Sequence, residues 1–389
     1  MKFNFDQIIN RDGTSSVKYD LRETYFGKAD VIPMWVADMD FETPAFVREA
    51  IQKRAEQPIY GYTFYDEHYF KTIIEWLARR HQWDVKKDWI LFSPGIVPAL
   101  NLVVLALTAE QDEIIVQPPV YFPFFGAVSE HNRKLINNQL VIIDGKYSIN
   151  FDQLEDQAKT AKMLILCNPH NPVGRAWTRS ELQKMAEICK ANDLIVLSDE
   201  IHSDLVLPGH KHQVFADLSP DIADFTVTAH APSKTFNLAG LSTSSLIISN
   251  ENLRKKVSGL YDRLHVGHGN LFGKVASEAA FSQGDEWLDA MLTYVNENVN
   301  YVFNFIDKYL PQIKAFRTEA TYMIWLDFRH FGMDDDALQQ HLVQSAGLGL
   351  SPGKVFGAGG EGFMRMNLAC PRNLVEQALD RLKDSFGSL

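Results

Sequence analysis

Asp224-Phe225-Thr226-Val227-Thr228-Ala229, followed after His230 by Ala231-Pro232-Ser233-Lys234-Thr235-Phe236-Asn237-Leu238-Ala239-Gly240-Leu241, sets a lysine just beyond a short apolar run. The run reads as a buried strand. A lysine at the end of such a strand is rarely fully buried without a partner. One reading is a surface loop. The other is a covalent partner, a carbonyl carbon held as a Schiff base. What the neighbouring strands carry at their ends decides between them.

Working outward, the pattern recurs. Asn192-Asp193-Leu194-Ile195-Val196-Leu197-Ser198-Asp199-Glu200-Ile201-His202 is an apolar run ending in polar residues. Asp199 there is either a cap or a carboxylate facing a buried cation. Lys162-Met163-Leu164-Ile165-Leu166-Cys167 is a continuous apolar strand that enters Asn168-Pro169-His170-Asn171-Pro172-Val173-Gly174-Arg175. Two Asn-Pro steps predict an extended, rigid path that fixes the Asn171 amide. Thr178 is placed to cap a helix running to about residue 191. Residues 112–121 read as a strand, a proline turn and the ring of Tyr121, and residues 134–143 as one more short strand. Residues 89–100 read as strand, turn and helix. Gly95 allows the sharp turn, and the free N–H groups of Ile96 and Val97 at the helix start favour a phosphate. Taken singly, each feature also fits an ordinary turn, cap or packing contact.

Helices alternating with apolar strands predict an α/β fold, a mainly parallel sheet sandwiched by helices. Such sheets bind ligands beyond the C-terminal strand ends. Gly95, Tyr121, Asn171, Asp199 and Lys234 each follow a separate strand. Their convergence on one polar site is the functional expectation.

The flanking regions add a second unit. Residues 3–30 are polar and irregular. Trp35-Val36-Ala37-Asp38-Met39-Asp40-Phe41 reads as a loop holding two acids against an apolar wall, or as turn and capping chemistry. Thr43 and Pro44 predict a helix cap and first helical residue for 44–56, and a helix follows over about 66–81. The aromatic segment Ile59-Tyr60-Gly61-Tyr62-Thr63 reads by default as core. Beyond the lysine come a strand at 244–249, helices over 252–310, strands at 321–327 and 362–369, and a helix at 373–386. Arg365 sits between Met364 and Met366, where it either faces solvent or takes a carboxylate in bidentate fashion. The expected division is an N-terminal segment (1–48) joining a small C-terminal α/β domain (291–389), with a large domain at 49–290.

A formal charge of −11 argues against nucleic acid or anionic membrane as a partner. Met1 to Asp6 has no apolar run, so no secretory signal is expected, and the longest apolar stretch, near 100–109, is too short to span a bilayer. Three cysteines without metal-like spacing suit a reducing, cytoplasmic setting. Gly357-Ala358-Gly359-Gly360-Glu361-Gly362 matches a dinucleotide pattern by letter but precedes a strand, and Gly353-Lys354 lacks the rest of a nucleotide phosphate loop. The pairs His210/His212 and His265/His268 have no third ligand, so no metal is expected.

These blocks resemble the fold-type I pyridoxal phosphate enzymes, the aspartate aminotransferase superfamily. The block from Trp35 to Phe41 is similar to that of the cystathionine β-lyase (C–S lyase) group with MalY and PatB members. The resemblance implies a three-layer large domain and a homodimer with its site at the subunit interface. It implies that Lys234 carries pyridoxal phosphate and moves the substrate Cα proton. It pairs Asp199 with the pyridine nitrogen, Asn171 with the ring hydroxyl oxygen and Tyr121 with the ring face. His202 lies near that oxygen. Ile96 and Val97 hold the phosphate, with Tyr62 reaching it from the other subunit. Arg365 clamps the α-carboxylate, and Trp35, Ala37 and Asp38 stand beside the substrate. Ala231 replaces a phosphate-binding serine common in aminotransferases, leaving Ser233 as the candidate. The implied reaction is α,β-elimination of L-cystathionine or other S-substituted cysteines. An amino-acid aminotransferase, or a regulatory binding protein on the same fold, is the alternative.

Overall fold

The structure, a computed structural model, describes residues 3–387. A seven-stranded sheet runs in the order Ile90–Ser93, Ser244–Ile247, Thr226–His230, Ile195–Asp199, Met163–Cys167, Glu113–Val116, Lys134–Asn137. Ser244–Ile247 is antiparallel to both its neighbours. The remaining pairs are parallel. Strand side chains alternate between faces. Met163, Ile165 and Cys167 accordingly pack with Ile96, Leu100 and Val103 on one side. Leu164 and Leu166 pack with Leu182, Met185 and Ala186 on the other. Both faces are therefore covered by helices, which explains the unbroken apolar runs.

Local signals explain the helix ends. Arg179–Ala191 starts in a capping box in which Thr178 accepts from the Glu181 N–H and the Glu181 carboxylate reaches back. Glu67–His81 is capped by Asp66, which accepts from the Tyr69 N–H. Ile96–Leu107 follows Gly95, whose φ of 136° lies in a region that favours glycine.

A second, antiparallel sheet has the order Lys314–Phe316, Met323–Asp327, Phe363–Asn367, Ser351–Pro352. Helices Asp285–Tyr309 and Arg372–Phe386 share its core. Ile32–Pro33 pairs in parallel with Leu348–Gly349, so the N-terminal segment is stitched to the C-terminal part of the chain. No helix among the described residues is long and apolar enough to cross a membrane.

Several local expectations are corrected. Residues 3–30 are not wholly irregular: they hold the short helices Val17–Asp20 and Arg22–Phe26. Thr43 does not cap the next helix. Pro44 takes the cap position of Ala45–Ala55 without a side-chain bond, while the Thr43 hydroxyl points to the Asn237 carbonyl. Residues 134–143 form two strands, because Val141–Ile143 leaves the sheet to pair with Lys146–Ser148 in a hairpin. The Asn-Pro segment turns instead of extending: Gly174 N–H donates to His170 O, and His170 bridges Arg175. The 59–63 aromatic segment is not core, since Ile59, Tyr60 and Tyr62 are all exposed in the single chain, as is the following Phe64.

Candidate active site

Register builds the site. Cys167 pairs with Asp199, and Asp199 with Ala229, so three parallel strands end level with one another. The residues just past those ends are delivered to one cavity. It is lined by Asn171, Asp199, His202, Ser233 and Lys234, with Tyr121 and Gly95, Ile96 and Val97 from two further strand ends and Ala37 from the N-terminal loop.

Lys234 lies in the single helical turn Pro232–Thr235, entered through extended Ala231. Its Nζ donates to the Ala37 carbonyl at 2.7 Å. Burial and the Arg365 charge bring the amine down to about 8, against an upward pull from Asp38 and Asp199. A lysine so placed spends part of its time as the neutral, nucleophilic amine near neutral pH. Asp199 is driven the other way. Burial lifts its carboxyl to about 7, although the Ile201 N–H donates to Oδ1 at 3.1 Å.

His202 is buried and held neutral, lowered to about 3 by burial first and then by Lys234 and Arg365. Its Nδ1 has no hydrogen-bond partner among the described residues. Arg365 is buried and pairs with no carboxylate among the described residues. It donates from Nη1 to Asn171 Oδ1 at 3.0 Å and from Nη2 to the Trp35 carbonyl at 2.8 Å and Ser351 Oγ at 3.2 Å, and its Nε is unpartnered. Burial lowers the guanidinium to about 10. A buried arginine with unused donors is a receptor for an anion.

Other expected residues lie elsewhere. Trp35 and Asp38 do not line this cavity. The Trp35 indole donates to Lys18 O at 3.1 Å and packs on Tyr25 and Phe26, and the Asp38 carboxylate is taken by Arg11 at 2.5 Å. Tyr62 lines a separate cleft with Tyr60, Phe64, Tyr65 and His268.

The structure adds residues that sequence reasoning missed. Ser242 and Thr243 line the cavity, Ser242 with φ 46°, where the chain turns back into the antiparallel strand. Behind the lysine turn, Asp204 accepts from Thr235 Oγ1 at 2.8 Å and Trp76 Nε1 at 3.1 Å, with His81 Nε2 at 2.8 Å and His230 Nε2 at 3.8 Å. His81, Asp204 and His230 also bring three possible metal donors together. The polar residues of the short Ser198–Asp204 stretch were the signal that could have flagged this cluster.

The donor set fits pyridoxal phosphate. It has an amine for an aldehyde, a carboxylate for a protonated ring nitrogen and helix-start N–H groups for a phosphate. The orphaned His202 Nδ1 lies in the same cavity.

The comparisons with known proteins agree with this geometry. Residues 29–382 match the family Aminotransferase class I and II. The chain is 45% identical to cystathionine beta-lyase PatB of Bacillus subtilis (strain 168), covering 98% of this chain and 99% of that protein. Cystalysin from Treponema denticola, which contains pyridoxal 5'-phosphate, superposes with a TM-score of 0.96 at 38% identity over 99% of each chain. The PLP-bound C-S lyase from Staphylococcus hominis does so with a TM-score of 0.93 at 34% identity, over 99% of this chain and 98% of that one. The chain belongs to the class I and II aminotransferase family.

Proposed function

We propose that this protein is a pyridoxal phosphate-dependent carbon–sulfur lyase. It would act on L-cystathionine or other S-substituted cysteines, releasing a thiol, pyruvate and ammonia with one water consumed. The observation that carries the reading is the meeting of Lys234, Asp199 and Asn171 at one cavity, with Arg365 bonded to Asn171 behind it, in a chain 45% identical, end to end, to a cystathionine beta-lyase.

Lys234 would hold the cofactor through its amine, and that same amine would move the substrate Cα proton. Bound pyridoxal phosphate supplies an electron sink for the pair that proton leaves behind. Asp199 keeps the ring nitrogen protonated. Its carboxyl at about 7 reflects burial that the Ile201 N–H and the Lys234 charge do not offset, and an N–H⁺ against it would favour the ionised form. Arg365 holds the α-carboxylate, exchanging its Trp35 carbonyl and Asn171 contacts for the fork of a real anion. Asn171, whose Oδ1 accepts from Arg365 before substrate arrives, has Nδ2 as the donor to the ring oxygen. Of the other residues lining the cavity, Tyr121 would cover the ring face, neutral His202 would stand near the ring oxygen, and Ile96, Val97, Ser233 and Ser242 would hold the phosphate.

The reading includes a homodimer. Ile59, Tyr60, Tyr62 and Phe64 are exposed on one segment, an apolar strip that a second copy would cover, bringing Tyr62 to its partner's phosphate. A cytoplasmic location suits the three free, buried cysteines.

Borohydride reduction of the yellow protein, peptide mapping and a thiol-release screen test the proposal. Label on the Lys234 peptide with free thiol from S-substituted cysteines is expected. Label with no thiol, but keto acid-dependent amino transfer, would make the protein an aminotransferase.

A further inference from the structure

The loop between Trp35 and Met39 has every backbone carbonyl held by a side chain from elsewhere. Trp35 O accepts from Arg365 and Ser351, and Val36 O from Asn367 at 2.7 Å. Ala37 O accepts from Lys234 at 2.7 Å and Tyr322 at 2.9 Å. Asp38 O accepts from Asn367 at 2.7 Å, and Met39 O from Asn237 at 3.0 Å and Arg11 at 3.2 Å. The acids of the same loop are clamped from the N-terminal segment. Arg11 reaches Asp38 at 2.5 Å and Asp40 at 2.7 Å, and Lys18, only 1% exposed, reaches Asp40 at 2.7 Å. Two acids face two bases, so the clamp is neutral as a whole.

We propose that Arg11 is a positioning residue for Lys234: by gripping Asp38 and Asp40 it fixes the Ala37 carbonyl against the lysine nitrogen and cancels the Asp38 charge beside it. Asp38 then belongs to the control of the lysine and not to substrate contact. The inference rests on Lys234 being the cofactor lysine.

The groups facing Lys234 come from four places. Asp199 and His202 arrive from the large sheet, Arg365 from the small sheet, the Tyr322 hydroxyl through the shared Ala37 carbonyl, and Asp38 from the loop. Only Asp38 has its charge set by a partner on the N-terminal segment. Asp38 pulls the Lys234 amine upward in basicity. An Arg11 that neutralises it limits that pull. Without Arg11, the loop carries one uncompensated negative charge, and the nitrogen should hold its proton to higher pH.

The test is a pH titration of the visible band of the lysine-linked cofactor in the holoenzyme. Arg11→Gln should raise the midpoint by about one unit, and Asp38→Asn should lower it. The double variant should return close to the parent, and Arg11→Lys, which keeps the charge, should shift it least. A loop that merely loosens would move both single variants in the same direction, and that result overturns the proposal. So does an unmoved midpoint in Arg11→Gln. A parent protein without any visible band after cofactor addition overturns the cofactor reading of Lys234 itself, and this inference with it.

Discussion

Arg365 Nη1 donates to Asn171 Oδ1 at 3.0 Å, tying the central strand of the small sheet to the loop that follows a central strand of the large one. Asn171 lines the cavity, and Arg365 stands behind it. The bond holds in reserve a guanidinium with no carboxylate of its own.

Replacing that guanidinium by an ammonium therefore removes the fork but keeps the charge. Arg365→Lys should lower kcat/KM for an S-substituted cysteine by about 100-fold, of the size expected for lost charge-assisted bonds, chiefly by raising KM. Steady-state kinetics check it. An unchanged KM would remove Arg365 from substrate binding.

Asp199 gives a signed pH effect. Burial holds its carboxyl at about 7 in the folded chain, while the unfolded carboxyl titrates near 4. Its contribution to stability is complete below about pH 4 and falls away as pH rises toward 7. In cofactor-free protein, Asp199→Asn should be the more stable form, with the gap opening between those values and level above. Urea unfolding across that range measures it. A gap that widens as pH falls would contradict the burial argument.

Asp204 behaves oppositely. It is buried, which pushes its carboxyl up, yet His230 and His81 outweigh this and hold it well below the ordinary range. That stability is present above about pH 4 and is lost as pH drops through the folded value. Asp204→Asn should cost about 3 kcal/mol at neutral pH by stripping a buried charged group from its partners. Thr235→Val should cost about 1 kcal/mol through the single lost bond. Thermal unfolding distinguishes the two.

The large sheet and the site along its edge were legible for one reason. A strand buried on both faces is written as an unbroken apolar run, and the first polar residues after it mark the ligand edge. Asn171, Asp199 and Lys234 announce themselves in this way. Ser242 and Thr243 do not, because they precede the one antiparallel strand and so lie at its start. The Arg11 clamp and the Asp204 cluster link residues 22 to 128 positions apart and leave no periodic trace. The 59–63 aromatics misled because apolar side chains look alike in sequence whether a core or another surface covers them. The 134–143 stretch misled because a strand and a hairpin share the same β-forming residues.

Lys234→Ala separates catalysis from folding. The buried amine is held below its ordinary value, so its protonated form disfavours the folded state near neutral pH. The variant should lose all thiol release and the visible band while unfolding at a temperature no lower than the parent's. Retained thiol release would place the chemistry elsewhere.

Pyruvate formed from L-cystathionine by the purified holoenzyme, with no keto acid present, tests the account most directly. The account predicts continuous turnover, with pyruvate and homocysteine appearing in equal amounts. Pyruvate absent under these conditions, with turnover appearing only when a keto acid is added, would contradict it.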